Sequence, residues 1–483
     1  MSLEQGADTL AVEVPAATVT AAGSSALHRR LTAFDALLLT LSCLSPAFSV
    51  YGPGSDVLQH AGTGAALLFL VGIAAAAIWG IVYAEFGSAF PYAGGDYIGV
   101  GAVLGPAAGF ACLAVWALFI VPITAYLAIM VGVYVQEVIP AVSAQSVAFG
   151  SLAVATGTAL LAVRTNALLT GIFLAIELLA VLALILAGLW HHPSSVAILL
   201  HPLLPNGSGQ WVPVAPTVMA MGAVSAAFAT VGGNQAIAFG EELIDPHRKM
   251  GRVIIVACLA GALATALPVM LVAWNAERYA AIFRSAAPFS AFVSTLAGPT
   301  AGRALSAAVA LAVFNALIAQ LLFSARLFFS FGRDGIFPSR ISAALAKVHG
   351  ASGAPRVATL VVAAGSVLCC LLGSHLILVF VSGMVVYGLG FVSLAVLVGR
   401  LRGQTGGPGF WRSPCYPLVP VLGLALALAF AIAEWADPEA GRPSLIALGA
   451  LLIAALAWYR FVLSRRPGGW APRLQRSVSD MEC

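Results

Sequence analysis

Two short segments hold the residues whose types and spacing can do chemistry. Ser45-Pro46-Ala47-Phe48-Ser49 interrupts an apolar run from Phe34 to about His60, and Gly52-Pro53-Gly54 follows it. Thr230-Val231-Gly232-Gly233-Asn234 interrupts a second run, from about Ala215 to Glu242. Ser45, Ser49, Thr230 and Asn234 either bond a small polar ligand or turn their side chains back onto their own helices. Neither segment contains Asp, Lys or Arg, so any charge recognition must come from the backbone. A half-helix that begins at a break offers N–H groups and a positive dipole end, which suit a carboxylate. A half-helix that ends at a break offers carbonyls, which suit an ammonium group. The outer half of the first run is the expected carboxylate site. The inner half of the first run and the outer half of the second are the expected ammonium site. The chemistry this describes is recognition of a zwitterion.

A third residue stands apart from the breaks. Glu177 is the one acidic residue expected deep in an uninterrupted apolar span. A charged carboxylate there is costly, which makes Glu177 the candidate proton-coupling residue. The alternative is a carboxyl bonded to a neighbouring helix. Asn315 either faces the same cavity or links helices. Trp116 and Tyr387 either line the site or simply pack.

These residues must be held by elements that belong in a membrane. The 483 residues are 61% hydrophobic and 9% charged, with a mean hydropathy of +0.99. A soluble domain carries roughly 25% charged residues, so a water-exposed surface cannot be built from this composition. In hydrocarbon an unpaired N–H or C=O costs several kcal/mol. Helix breakers at mid-depth in two spans are therefore expensive unless the freed groups bind something, and two of them five spans apart point to an inverted-repeat secondary transporter.

Runs of about twenty apolar residues give twelve expected spans, an all-α membrane protein. They start near Phe34, Gly64, Val103, Ser143, Asn166, Ala215, Met250, Arg303, Arg356, His375, Cys415 and Ser444. With the N-terminus inside, only Arg278, Arg284, Arg303 and Arg442 of the 23 Lys and Arg residues fall outside. That asymmetry fits the positive-inside rule and puts both termini in the cytoplasm. Residues 1–30 read as a disordered tail without signal-peptide features, 190–214 as an outer loop and 467–483 as a second tail. Richness in Ala, Gly and Arg with few lysines suggests a bacterial cytoplasmic membrane.

Three stretches go further. They are Glu85 to Tyr97 (EFGSAFPYAGGDY), Glu241 to Arg248 (EELIDPHR), and Ser324-Ala325-Arg326 followed by Gly332 to Pro338 (GRDGIFP). In this order and spacing, from about Leu31 to Pro355, the chain resembles the amino acid–polyamine–organocation (APC) superfamily, the amino acid permeases. The resemblance implies ten core helices in a five-plus-five inverted repeat (31–189 and 215–402), with broken helices 1 and 6. Two further helices lie in 403–466. It implies transport of an amino acid or related amine by proton symport or exchange. Two departures stand out. Ser45-Pro46-Ala47-Phe48 replaces the family's Gly-Ser-Gly-like break, and the span 6 break carries Thr230 and Gly233 where gating aromatics are usual, with Phe228 nearest.

Glu85, Asp96, Glu241, Glu242, Arg248, Arg326, Arg333 and Asp334 fall near the expected inner ends. They form either an inner gate of exchangeable ion pairs or a static set of helix-end charges. Glu85, Glu241, Glu242, Arg248 and Arg326 are the gate candidates. Gly94-Gly95 fits a tight turn, and without a following Lys-Ser/Thr it is not a phosphate loop. Span 8 offers no Ser or Thr between Val309 and Leu322, which disfavours a sodium site. The cysteines and histidines lack metal-ligand spacing and no carboxylates cluster, so no cofactor, metal or enzymatic activity is expected, and no nucleic-acid partner. The expected partners are the lipid bilayer, a small-molecule substrate and protons. A carrier of the same fold for another small solute, such as a nucleobase, is the alternative.

Overall fold

The computed structural model of the chain describes residues 29–472 apart from 162, 191–199, 207, 276–279, 286, 350–352, 373–376, 378–380, 382 and 439–440, without the side chains of 163–170. Most of the two expected tails, and His191 and His192 of the 190–214 loop, lie outside the described residues.

Apolar runs become helices because in lipid each backbone group must be bonded within its own segment. Among the described residues, nine helical stretches are long and apolar enough to cross a membrane. The first, Ala33–Ala89, contains the segments expected as spans 1 and 2. Span 2 is Ala65–Ala89, span 3 Pro106–Val138, span 5 Val163–Trp190 and span 7 Pro246–Trp274. Span 8 is Pro299–Arg333, span 10 Met384–Leu401, span 11 Leu418–Trp435 and span 12 Gly441–Trp458. Two segments are shorter than expected. Ala144–Ala159 has 16 helical residues and Arg356–Cys369 has 14, against the roughly 20 that cross a bilayer.

The Gly-rich stretch ahead of span 3 is a helix of its own, Asp96–Leu104, set off by Gly95 (φ 64°) and Gly105 (φ 100°). The loop between spans 5 and 6 holds a feature absent from the all-α expectation. Leu203–Pro205 and Trp211–Pro213 pair as a small antiparallel ribbon. Thr63 anchors it, donating to His201 O and accepting from the Leu203 N–H.

Span 2 runs against span 7 and the Pro216–Thr230 half of span 6, and span 3 against span 8. Small residues allow that approach. A Cβ on Gly80 would stand 3.0 Å from Cys258 Cβ, and one on Gly72 would stand 2.9 Å from Ala226 O. The face at which span 1 begins, here called the lower face, is stitched together by backbone bonds. Leu31 N–H donates to Glu242 O and Ile244 N–H to Leu31 O, at 2.8 and 3.0 Å. The starts of span 1 and the end of span 6 are thereby tied side by side. The segment between spans 10 and 11 also folds over this face. Arg400 pairs with Glu85, whose carboxylate further accepts from Thr405 Oγ1 and the Ser413 N–H. Of the cysteines, Cys415 is exposed, whereas Cys43, Cys112, Cys258 and Cys370 are buried as small apolar residues.

Candidate functional site

The break in span 1 is narrower than the sequence suggests. The lower half-helix, Ala33–Leu44, opens with a capping box between Thr32 and Asp35 and ends at Ser45. Ser45 alone leaves the helical path, in the left-handed region at φ 45°, ψ 86°. Pro46 starts the upper half as its first helical residue, where its missing N–H costs nothing. Pro53 then falls inside a widened turn, Val50–Gly54, because its ring cannot follow a regular helix. A non-glycine residue in the left-handed region costs about 1–3 kcal/mol and persists only where its surroundings over-determine it. Here Ser45 Oγ accepts from the Phe48 N–H and donates to Glu177 Oε1 at 2.9 Å. The Ala47 N–H donates to the same Glu177 oxygen at 2.7 Å. The buried carboxyl of span 5 thus caps the positive end of the upper half-helix of span 1. Its other oxygen, Oε2, has no partner.

This changes the expected carboxylate site. Ala47 is held by Glu177, Phe48 by Ser45 Oγ, and Ser49 N–H by Ser45 O at 2.9 Å. Pro46 has no N–H to give. The donors assigned to a ligand at Ser45–Ser49 are already engaged inside the protein.

In span 6 the upper half is Pro216–Thr230, followed by Val231 in extended conformation and Gly232 at φ 149°. A short 3-10 helix, Gly233–Phe239, forms the lower half. The single Thr230 hydroxyl proton is shared among three carbonyl oxygens within reach, Gly72 O at 2.9 Å and Ala226 O and Ala227 O at 3.0 Å. Thr230 therefore fastens the end of its own helix to span 2.

Between the two breaks lies a cavity of about 80 Å³. At roughly 10–15 Å³ per water-sized group, it holds on the order of five to eight such groups, the size of a small organic molecule. Cys43, Leu44, Phe48 and Ser49 of span 1 line it, with Val231, Gly232, Asn234 and Gln235 of span 6. Trp79, Trp116, Phe119, Ile123, Phe228, Gln320 and Met384 complete much of the wall. Among the described residues, none that lines it is charged. Trp79 Nε1 donates to Asn234 Oδ1 at 3.3 Å, which holds Asn234 at the wall. Gln235 Oε1 is a buried acceptor without a partner.

The expected site residues divide accordingly. Phe48, Ser49, Val231, Gly232 and Asn234 line the cavity, as do Trp116 and Phe228. Ser45, Pro46, Ala47, Thr230 and Gly233 shape the breaks from behind it. Asn315 is fully buried, does not line the cavity, and neither amide atom has a partner. Tyr387 is half-buried and also off the lining. Cys43, Trp79, Gln235 and Gln320 are lining residues that sequence reasoning missed. Gln235 had a signal, since it directly follows the break.

Below the cavity, Arg326, Arg333 and Arg400 each meet acidic side chains. Arg326 meets Glu242 in a two-pronged bond, at 2.6 and 3.0 Å, with both side chains 2% exposed. The Arg326 guanidinium also lies over the Phe239 ring. Arg333 bonds Glu241 at 2.6 Å and lies 3.6 Å from Asp334. Glu85 pairs with Arg400, not with the other gate candidates. Arg248 is exposed and joins none of these pairs.

The family described as "Amino acid permease" has a sequence model that matches residues 31–456. The chain belongs to the amino acid permease family. It is 26% identical over 363 residues to Asc-type amino acid transporter 1 of Mus musculus, across 71% of this chain and 65% of that protein. The chain therefore spans slightly less than two thirds of that relative's length. It is 24% identical over 425 residues to the branched-chain amino acid permease BcaP of Lactococcus lactis, across 81% of this chain and 87% of the permease. Identity to large neutral amino acids transporter small subunit 2 of Mus musculus is 26% over 403 residues, across 79% and 72%. As in other multi-pass permeases, the lipid bilayer is the medium in which these helices must work.

The capping role of Glu177 has a direct consequence. Glu177→Leu strands the Ala47 N–H in a buried site, a loss of about 1–3 kcal/mol. Glu177→Gln keeps an acceptor there. Thermal unfolding of the purified permease in detergent should show a clearly lowered midpoint for the leucine variant and a midpoint near that of the parent for the glutamine variant. Equal midpoints for all three proteins would contradict the capping role.

Proposed function

We propose that this permease is a secondary transporter that carries neutral amino acids across the cytoplasmic membrane by alternating access. In this reading the twelve helical segments form a five-plus-five inverted repeat with two appended helices. Both termini are cytoplasmic and the lower face points inward, as the distribution of Lys and Arg suggests.

One observation carries the substrate class: the cavity between the two broken helices is lined by uncharged, mostly apolar residues. A polyamine or a dibasic amino acid would enter with no carboxylate to meet it, at a desolvation cost of several kcal/mol. A zwitterion needs only dipoles. Its ammonium group finds the free acceptor Gln235 Oε1 and the carbonyls that end the two half-helices. Its carboxylate finds the backbone at Gly232 and Asn234, where the lower half of span 6 begins, since the donors of span 1 are already used. The apolar wall of Leu44, Ile123, Phe228 and Met384 accepts an uncharged side chain. The names of the relatives, which speak of branched-chain and large neutral amino acids, agree with this class.

Glu177 is proposed as the proton-coupling residue. Its carboxylate supplies the negative charge at the start of the upper half of span 1, and protonation removes that charge. A proton taken up at Oε2 removes the charge while Oε1 still accepts from the Ala47 N–H, which connects protonation to the electrostatics of the helix end beside the cavity. Glu241, Glu242, Arg326 and Arg333 are proposed as the inner gate, with ion pairs that part when the site opens inward.

A thermal-shift screen tests the substrate class. At a hundred times its Kd a substrate stabilises the protein by about 2.7 kcal/mol. L-Leucine or L-serine is expected to raise the unfolding midpoint, while L-arginine and putrescine leave it unchanged. Stabilisation by uracil or adenine alone would overturn the reading. For coupling, Glu177→Gln in proteoliposomes should lose uptake driven by a pH gradient yet retain amino acid exchange. Unchanged gradient dependence would remove Glu177 from the coupling role.

A further inference from the structure

We infer that Asp96 is a positioning residue for the cavity, holding its two indole walls and tying them to the lower ion pairs. The inference rests on the proposed substrate site and adds a residue outside it. Asp96 is 2% exposed and does not line the cavity. A single carboxylate oxygen, Oδ2, accepts from Trp116 Nε1 at 3.1 Å and from Tyr83 OH at 2.7 Å. Trp116 is itself a wall of the cavity. Tyr83 stacks on the second indole wall, Trp79, with ring centres 4.7 Å apart and planes 20° apart. Trp79 in turn holds Asn234 of the span 6 break. One buried carboxylate therefore fixes walls from spans 2 and 3 and, through Trp79, the break in span 6.

The same turn reaches the ion pairs. Tyr97, the next residue, bonds Ser330 Oγ at 2.6 Å and Asp334 Oδ2 at 2.8 Å. Ala93, three residues earlier, donates its N–H to Glu241 Oε1 at 3.0 Å, the oxygen that also holds Arg333. Gly94 and Gly95 let the turn fit: Gly95 sits at φ 64°, and a Cβ on Gly94 would stand 2.6 Å from Ser330 Oγ. Parting Arg333 from Glu241 pulls on the turn Ala93–Gly95 and the helix start behind it, where Asp96 holds Trp116 directly and Trp79 through Tyr83. The geometry gives a mechanical route from the opening of the lower face to the width of the cavity.

Asp96→Ala, Asp96→Asn and Trp116→Phe in the full-length permease test this. An amide oxygen accepts two bonds as a carboxylate oxygen does, so Asp96→Asn is expected to keep affinity for L-leucine within about twofold of the parent. Asp96→Ala should weaken it by about tenfold, the scale of a lost buried hydrogen bond, in KM rather than in maximal rate. Trp116→Phe should weaken it similarly, and the double variant by clearly less than the sum of the two, because the changes share the Asp96–Trp116 bond. Acrylamide quenching reads the same arrangement without any substrate. Trp116, taken as the difference from Trp116→Phe, should become more accessible in Asp96→Ala and not in Asp96→Asn. That reading separates failure of this inference from failure of the substrate assignment. Unchanged quenching in Asp96→Ala, additive losses in the double variant, or equal losses in the alanine and asparagine variants would overturn it. If Asp96→Ala does not fold, Tyr83→Phe carries the quenching test for the second indole, with Trp79 read as the difference from Trp79→Phe and expected to become more accessible.

Discussion

A helix interrupted inside hydrocarbon must have its freed backbone groups bonded by something other than water, and the rest of this structure follows from that requirement. Span 1 meets it with a carboxyl from another helix: Glu177 caps Ala47 and holds Ser45 in its left-handed turn. Span 6 meets it with Thr230, whose hydroxyl locks the end of the upper half to Gly72 of span 2. Each break is thus fastened from behind by a neighbouring span. What remains free faces inward, between the two breaks, and there the cavity lies.

The two cavity-forming helices are joined a second time at the lower face. The backbone bridge between Leu31 and Leu243 ties the start of span 1 to the segment after span 6. The Arg326–Glu242 pair ties that segment to span 8 while nearly excluded from solvent. Removing one member of such a buried pair costs about 3–5 kcal/mol, whereas separating both into water restores their hydration. An ion pair with those properties holds firmly while dry and parts readily once water enters. That behaviour suits a gate.

Much of the fold was legible in the sequence because lipid leaves so few options. Apolar runs announced the helices, and proline and glycine announced the breaks within a few residues. Glu177 stood out as an acidic residue where acid is expensive. The partners were not legible. Nothing local to Glu85 points to Arg400, 315 residues away. Nor does anything in Trp79 or Gln320 reveal which helical face meets the cavity, since hydropathy in a membrane helix barely distinguishes lipid from protein neighbours. Taking the break residues as the lining residues put Ser45, Ala47 and Thr230 at the site, but their polar groups are spent on the breaks themselves. Arg248 lies beside the gate candidates in sequence, and its side chain is exposed.

The central claim is that an uncharged cavity between the two breaks receives the neutral amino acid. Ser49 lines that cavity, so the most direct measurement is alkylation of Ser49→Cys in a chain without its native cysteines. The account predicts that L-leucine slows labelling in a saturable way while putrescine and uracil do not. Labelling indifferent to L-leucine in a variant that still transports it would contradict the account.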